Sequence, residues 1–280
     1  MPSFKTHAPI SALAHIGAGS ITFTASDRAD TVVEVRPSNP KRDKDVRAAQ
    51  QTEVACTGGV LTVRTKERLL IGPTGSVDVT VDLPEGSRVD MTGSWTRVRG
   101  EGRLGEVKVK TSSNDIRLDT TGPLHLTAAH GSVTVGRVEG PAEISTSFGS
   151  LEVGTVDGRA VLKNSHGNTT VDAVLGDLRV SGAHGNISIA RAERSVTATT
   201  AHGALRVGEV ARGTVELETS YGAIEVGVRE GTAAWLEVGA EHGQVRNTLA
   251  ESAPPQESED TVEVRARTRW GNIDIHHARP

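Results

Sequence analysis

A chain of 280 residues with a formal net charge of −4 and a pI near 6.2 has no long-range attraction for nucleic acid or for an anionic membrane. Its lysines and arginines are scattered, which excludes a basic nucleic-acid stripe. Aromatic residues make up 2% of the chain against 31 glycines, so the core must use Val, Leu, Ile and Ala in thin layers, as short stacked strands do.

Cys56 is the single cysteine, so there is no internal disulfide framework. The opening M-P-S-F-K-T-H-A-P has no apolar signal stretch, and nowhere do 18 apolar residues run together. No membrane insertion is expected, and the expected location is cytoplasmic.

Residues 1–85 alternate polar and apolar side chains without a clean repeat. Ser20 to Ala25 (S-I-T-F-T-A), Thr31 to Arg36 (T-V-V-E-V-R), Val60 to Lys66 (V-L-T-V-R-T-K) and Ser76 to Leu83 (S-V-D-V-T-V-D-L) read as half-buried strands. Turn signals lie at Gly17 to Gly19, Thr57 to Gly59 and Gly72 to Gly75. Pro40 to Gln51 has helix formers but little apolar face, and reads as a solvated excursion of one or two helical turns. The region is expected to form a small N-terminal β cap, because a repeat stack needs atypical ends.

Residues 86–280 carry a repeat of about 18 residues. Pro123 to Gly140 reads P-L-H-L-T-A-A-H-G-S-V-T-V-G-R-V-E-G, and Pro141 to Gly158 reads P-A-E-I-S-T-S-F-G-S-L-E-V-G-T-V-D-G. Anchors at Thr96, Asn114, Gly131, Gly149, Gly167, Gly185, Gly203, Gly222, Gly243 and Gly271 mark about ten rungs. Their spacing is 17 to 21 residues until a gap of 28 before the last, which holds a Pro- and acid-rich loop insertion at 251–260.

Apolar pairs two and four residues after the anchor include Val133/Val135, Leu151/Val153, Ile187/Ile189 and Ile273/Ile275. Pairs seven and five residues before it include Leu124/Leu126, Ala142/Ile144, Leu178/Val180 and Val264/Ala266. Spacing of two puts each pair on one strand face. One unit is therefore strand, turn, strand, turn, and it buries its pairs only when a neighbour stacks on it at about 4.8 Å. The expected fold is all-β: a β-solenoid, β-helix-like, with like strands stacked in parallel. A run of antiparallel hairpins is the alternative closure, but a meander tolerates drifting strand lengths and would not need so constant a period.

The residue before each anchor forms a second column: Trp95, Ser113, His130, Phe148, His166, His184, His202, Tyr221, His242 and Trp270. Nine of these ten carry a ring, in a chain with only seventeen His, Phe, Tyr and Trp. The structural expectation is a ladder of flat side chains beside turn glycines of positive φ at Gly131, Gly149, Gly167, Gly185, Gly203, Gly222, Gly243 and Gly271. Each aromatic pair in such a ladder adds about 0.5–1.5 kcal/mol. There is also a chemical reading. His166, His184 and His202 occupy three consecutive rungs, so their rings, about 5 Å apart, are candidates to hold a transition metal or to titrate together at about pH 6. No Cys, Asp or Glu accompanies them at ligand spacing.

Other motifs point to no chemistry. His276 and His277 read as a solvated tail pair, and the glycine runs lack the Lys-Ser/Thr of a phosphate loop. No G-x-S-x-G elbow occurs. Glu143, Glu152, Glu216, Glu218 and Glu225 alternate with Arg and Thr on outer strand faces, as solubilising charge does, without the clustered carboxylates of a glycosidase. No cofactor and no enzymatic activity are expected.

Laid out in rungs, the chain resembles the bacterial putative-adhesin family of β-strand-repeat domains of unknown function, common in actinobacteria. The resemblance rests on I-T-F-T-A-S-D-R-A-D-T-V-V-E-V-R-P, on S-V-D-V-T-V-D-L-P-E-G-S, on the x-G-x-[VIL]-x-[VI] rungs and on the closing E-V-R-A-R-T-R-W-G-N-I-D-I. It implies a β-solenoid-like stack with no catalytic residues to carry over. Some relatives carry an export signal or a membrane anchor, which this sequence does not show. The functional expectation is a scaffold or protein-interaction module whose partner is another protein. A metal- or pH-responsive sensor using the histidine ladder and a glycan-binding solenoid are the alternatives, and homo-oligomers through the solenoid ends are a further expectation.

Overall fold

The computed structural model describes residues 2–65, 75–113, 115–249 and 260–278. The chain forms two compact units, residues 1–139 and 140–280. Nearly every described element is a strand.

In the first unit the elements are β1 (Ser3–Lys5), β2 (Ser11–Ser26), β3 (Asp30–Pro37), α1 (Asp43–Gln51), β4 (Glu53–Thr57), β5 (Val60–Arg64) and β6 (Val77–Pro84). They continue with β7 (Arg88–Arg103), β8 (Val107–Ser113), β9 (Ile116–Thr121), β10 (Leu124–His130) and β11 (Val133–Val138). β2 and β7 are long enough to form both arms of a rung, and they pair in parallel from Ser11↔Arg88 to Thr24↔Glu101. β5 and β6 lie parallel on the two halves of β2, while β8/β10 and β9/β11 continue from β7, all in parallel. Parallel stacking thus begins at β2, inside the stretch expected to be only a cap. The capping function falls to antiparallel strands: β4 on β5, β3 on β6, and the three-residue β1 on β3. Changing strand direction ends the repeat and leaves a short edge, one of the devices that keep edges from adding further strands.

The excursion at 40–51 is the helix α1, packed on β3 and β6 rather than wholly solvated. Asp45 is buried, and its Oδ1 accepts the Ser76 N–H at 2.9 Å. One polar anchor therefore does what the missing apolar face could not. The strand expected to reach Lys66 ends at Arg64, and the Gly72 to Gly75 turn lies outside the described residues except for Gly75.

The second unit contains β12 (Ala142–Phe148), β13 (Leu151–Val156), β14 (Ala160–His166), β15 (Thr169–Val174), β16 (Leu178–His184), β17 (Ile187–Ala192) and β18 (Val196–His202). It continues with β19 (Leu205–Val210), β20 (Gly213–Tyr221), β21 (Ile224–Val228), β22 (Ala233–His242), β23 (Val245–Asn247), β24 (Thr261–Trp270) and β25 (Ile273–His277). Even-numbered strands stack on even and odd on odd, and as far as β19 each residue lies over its equivalent 18 positions on, as in Leu162↔Val180 and Val171↔Ile189. The expected β-solenoid-like, parallel architecture is what forms. The apolar pairs read from the sequence face inward, joined by a third buried column, Val156, Val174, Ala192 and Val210.

Chain order and stacking order part at the end. β24 pairs with β20 on one side and β22 on the other, and β25 likewise lies between β21 and β23. The last rung in the sequence is therefore an inner one. The outermost described rung is β22–β23. Of the 251–260 insertion only Asp260 is described, its carbonyl accepting the Ala233 N–H at 3.0 Å.

The anchor glycines have two separate reasons to be glycine. Gly185 has φ +133°, and a Cβ there would lie 2.1 Å from the Gly167 carbonyl oxygen. Gly222 and Gly243 are not in the left-handed region, which corrects that expectation for these two. At Gly222 close approach alone excludes a side chain, since a Cβ would lie 2.0 Å from Gly203 O. The anchor Asn114 lies outside the described residues.

Candidate functional site

The rings before the anchor glycines come together in the second unit. Phe148 and His166 stack at 4.6 Å with planes 13° apart, His166 and His184 lie at 5.0 Å, His184 and His202 at 4.9 Å, and His202 and Tyr221 at 4.9 Å and 5°. Trp270 follows Tyr221 in register, and His242 stacks on Trp270 at 3.9 Å. The parallel register creates this ladder, because it sets each ring over its equivalent one rung away.

All seven rings are exposed, and Tyr221 and Trp270 keep about half of their surface in water, at 48% and 49%. Small neutral residues flank the rings from His166 to Tyr221: Ser165, Ala183, Ala201 and Ser220 precede them, and Asn168, Asn186, Ala204 and Ala223 follow the turn glycines. The rings stand as a ridge, in which His166, His184 and His202 have both faces covered by neighbouring rings. In the first unit Trp95 is in register with Ala18 and Ser113, neither of which has a ring, and His130 Nδ1 lies 3.4 Å from Ser112 O. Ser113 therefore interrupts the column.

His166, His184 and His202 do form consecutive steps of the ladder. Yet among the described residues no group of three or more His, Cys, Asp or Glu is arranged to hold a metal ion. The His184 and His202 planes are stacked 29° apart and those of His166 and His184 are tilted by 43°, whereas a shared metal needs in-plane lone pairs that converge.

An inner polar column supports the ridge. Thr219 Oγ1 donates to Gly203 O and Thr268 Oγ1 to Gly222 O, each at 3.0 Å, and Asn164 Nδ2 donates to Gly149 O at 3.0 Å. Each thus satisfies a turn carbonyl one rung away. Asn164 is 2% exposed and its Oδ1 has no partner.

Two charged clusters on the outer faces were not foreseen as structural features. Arg229 donates to Glu209 Oε1 at 2.6 Å and to Glu193 Oε1 at 2.9 Å, joining side chains from three rungs. The hydrogen bond from Arg229 holds the Glu193 carboxyl below its ordinary range against the opposing effect of burial. On β24, Arg265 reaches Glu216 at 3.3 Å, Glu237 at 3.7 Å and Glu263 at 2.8 Å. Arg267 also pairs with Glu237, and Arg269 lies 3.6 Å from Glu241. His276, read as a tail residue, is held by Glu225 at 3.0 Å, which also takes Arg206 at 3.1 Å. Glu193 and Arg229 are 36 residues apart, two periods of the repeat, and that spacing was the signal that would have set them on the same column.

Parallel strands wound with an 18-residue period and a glycine turn column define a solenoid-like β-repeat domain. The chain belongs to the family Toastrack DUF4097, whose model matches residues 16–276. This is a domain of unknown function. No curated protein matches the chain. Among solved structures it is similar to a putative adhesin from Parabacteroides merdae, with 14% identity, a TM-score of 0.48, and coverage of 80% of this chain and 94% of that one. It is also similar to a putative adhesin from Bacteroides fragilis, with 13% identity, a TM-score of 0.43, and coverage of 98% and 95%. A putative lipid binding protein from Parabacteroides distasonis gives 15% identity and a TM-score of 0.43, with coverage of 98% and 95%.

Proposed function

We propose that the chain is a non-enzymatic binding module that engages another protein through the ring ridge of its second unit. The observation that carries this reading is the exposed run Phe148, His166, His184, His202, Tyr221, Trp270 and His242, bordered by small neutral side chains from His166 to Tyr221 and by the Arg269–Glu241 pair at its Trp270–His242 end. Aromatic groups with a polar handle supply contact area at low entropic cost and are enriched at protein interfaces. A glycan would need open ring faces to stack on, and those of His166, His184 and His202 are covered by the rings on either side. The absence of a three-ligand cluster among the described residues likewise favours protein contact over metal sensing.

The test is a comparison of wild type with the triple variant His184→Ala/His202→Ala/Tyr221→Ala as baits in the native lysate, with and without chelator. The reading expects a protein retained by wild type under both conditions and lost with the variant. Equal retention by both baits, or retention that vanishes with chelator, would overturn it.

A further inference from the structure

The second unit stops pairing at β22–β23, and that rung is unlike those inside it. Leu236, Val238 and Val245 are the equivalents of Val264, Ala266 and Ile273, which are fully buried. Here Leu236 and Val238 are only half-buried, Val245 is 43% exposed, and the neighbouring Trp235 is 76% exposed. In the first unit antiparallel strands and α1 finish the stack, whereas no described element of the second unit covers β22.

Among the described residues, the outer edge of β22 has no partner strand either. Ala233 N–H points inward, to Asp260 O. Alternate residues of a strand turn their amides to opposite edges, so Ala234, Leu236, Val238 and Ala240 present N–H and C=O groups outward. These are also the residues whose side chains face the core, so the edge joins open hydrogen-bonding groups to an open apolar end. Such a strand is a template for adding another.

We infer that two copies of this chain join through this edge, β22 against β22 in antiparallel register centred on Val238. The two-fold register sets Val238 opposite Val238 as a hydrogen-bonded pair and Leu236 opposite Ala240 of the other copy. On the outer face it sets Glu237 opposite Gly239 and Trp235 opposite Glu241, so no carboxylates meet. Centring on Glu237 or Gly239 would bring like charges face to face, which destabilises a strand pair. Centring on Leu236 or Ala240 avoids that but shortens the overlap. The charge pattern and the amide pattern thus select one register for self-pairing. This inference does not rest on the ridge.

Sedimentation of the full chain from micromolar to near-millimolar concentration, with Val238→Lys alongside, tests it. A second variant, Cys56→Ser/Val238→Cys, is oxidised and examined on a denaturing gel, because Cα atoms of a hydrogen-bonded antiparallel pair lie about 5.5 Å apart, within disulfide reach. The expected result is a concentration-dependent wild-type dimer, a monomeric Val238→Lys and a covalent dimer of the cysteine variant. A wild type that sediments as a monomer throughout would overturn the inference. So would a dimer that persists in Val238→Lys while the cysteine variant stays unlinked. Should Val238→Lys fail to fold, the cysteine variant decides alone.

Discussion

The indole of Trp270 stacks on the imidazole of His242 at 3.9 Å with planes 22° apart, although the strand carrying Trp270 comes later in the chain and lies further inside the sheet. Charge explains why the late strand takes the inner place. In simple chain order Glu216 would face Glu237, whereas the insertion of β24 sets Arg265 between them. Cross-strand pairs of opposite charge stabilise a sheet and like charges oppose it, so the arginines of β24 select the order β20, β24, β22.

Reversing that charge should loosen the end of the unit. Arg265→Glu faces three carboxylates, Glu216, Glu237 and Glu263. Amide hydrogen exchange should then speed up several-fold in β22 and β24 and remain unchanged in β14 to β17. Uniform exchange across all rungs would count against the pairing code.

The glycine column should tolerate no side chain. In Gly185→Ala the new Cβ would meet Gly167 O at 2.1 Å, from a backbone at φ +133°. Strain of this kind costs about 1–3 kcal/mol before any clash is counted, so thermal unfolding should drop by several degrees. A melting temperature equal to wild type would show that the turn relaxes freely.

Acid should weaken the Arg229 clamp in a defined direction. The folded pKa of Glu193 lies below its unfolded value, chiefly through the hydrogen bond from Arg229. Its contribution is therefore complete above the unfolded value of about 4.3 and is lost as pH falls through the folded one. Arg229→Met should be less stable than wild type at neutral pH by at most about 1 kcal/mol, given the partial exposure of the cluster. Urea midpoints should converge once the pH has fallen below the folded value. A gap that persists there would mean that packing, not charge, was removed.

Asn164 offers a stabilising change. Its buried Oδ1 has no partner, while Thr219 and Thr268 perform the same carbonyl-capping role in other rungs. Asn164→Thr should match or exceed wild-type stability by about 1 kcal/mol, whereas Asn164→Val should lose a similar amount by leaving Gly149 O unpaired. Equal loss in both variants, measured by urea unfolding, would show that amide shape rather than bonding matters.

The repeat was legible because its period fixes both strand phase and register. Pairs such as Leu178/Val180 and Ile187/Ile189 could face only inward once the glycines were aligned. The ring column was legible for the same reason, since His166, His184 and His202 are equivalents one period apart. The stacking order at the end was not. It depends on Arg265 choosing among carboxylates that are 49 and 28 residues distant in the chain, and a period cannot express that choice. The helix α1 was half legible: its propensity was visible, but its anchor, the buried Asp45 on the Ser76 amide, is a single long-range bond.

The inserted strand is tested most directly by cysteine pairs on the outer face, in a Cys56→Ser background. Glu218 is in register with Arg267, and in simple chain order it would instead face Gly239. Neighbouring parallel strands lie about 4.8 Å apart, close enough for a disulfide. The account predicts that Glu218→Cys/Arg267→Cys forms an intramolecular disulfide on mild oxidation and that Glu218→Cys/Gly239→Cys does not. The opposite result would place β22 directly on β20 and contradict it.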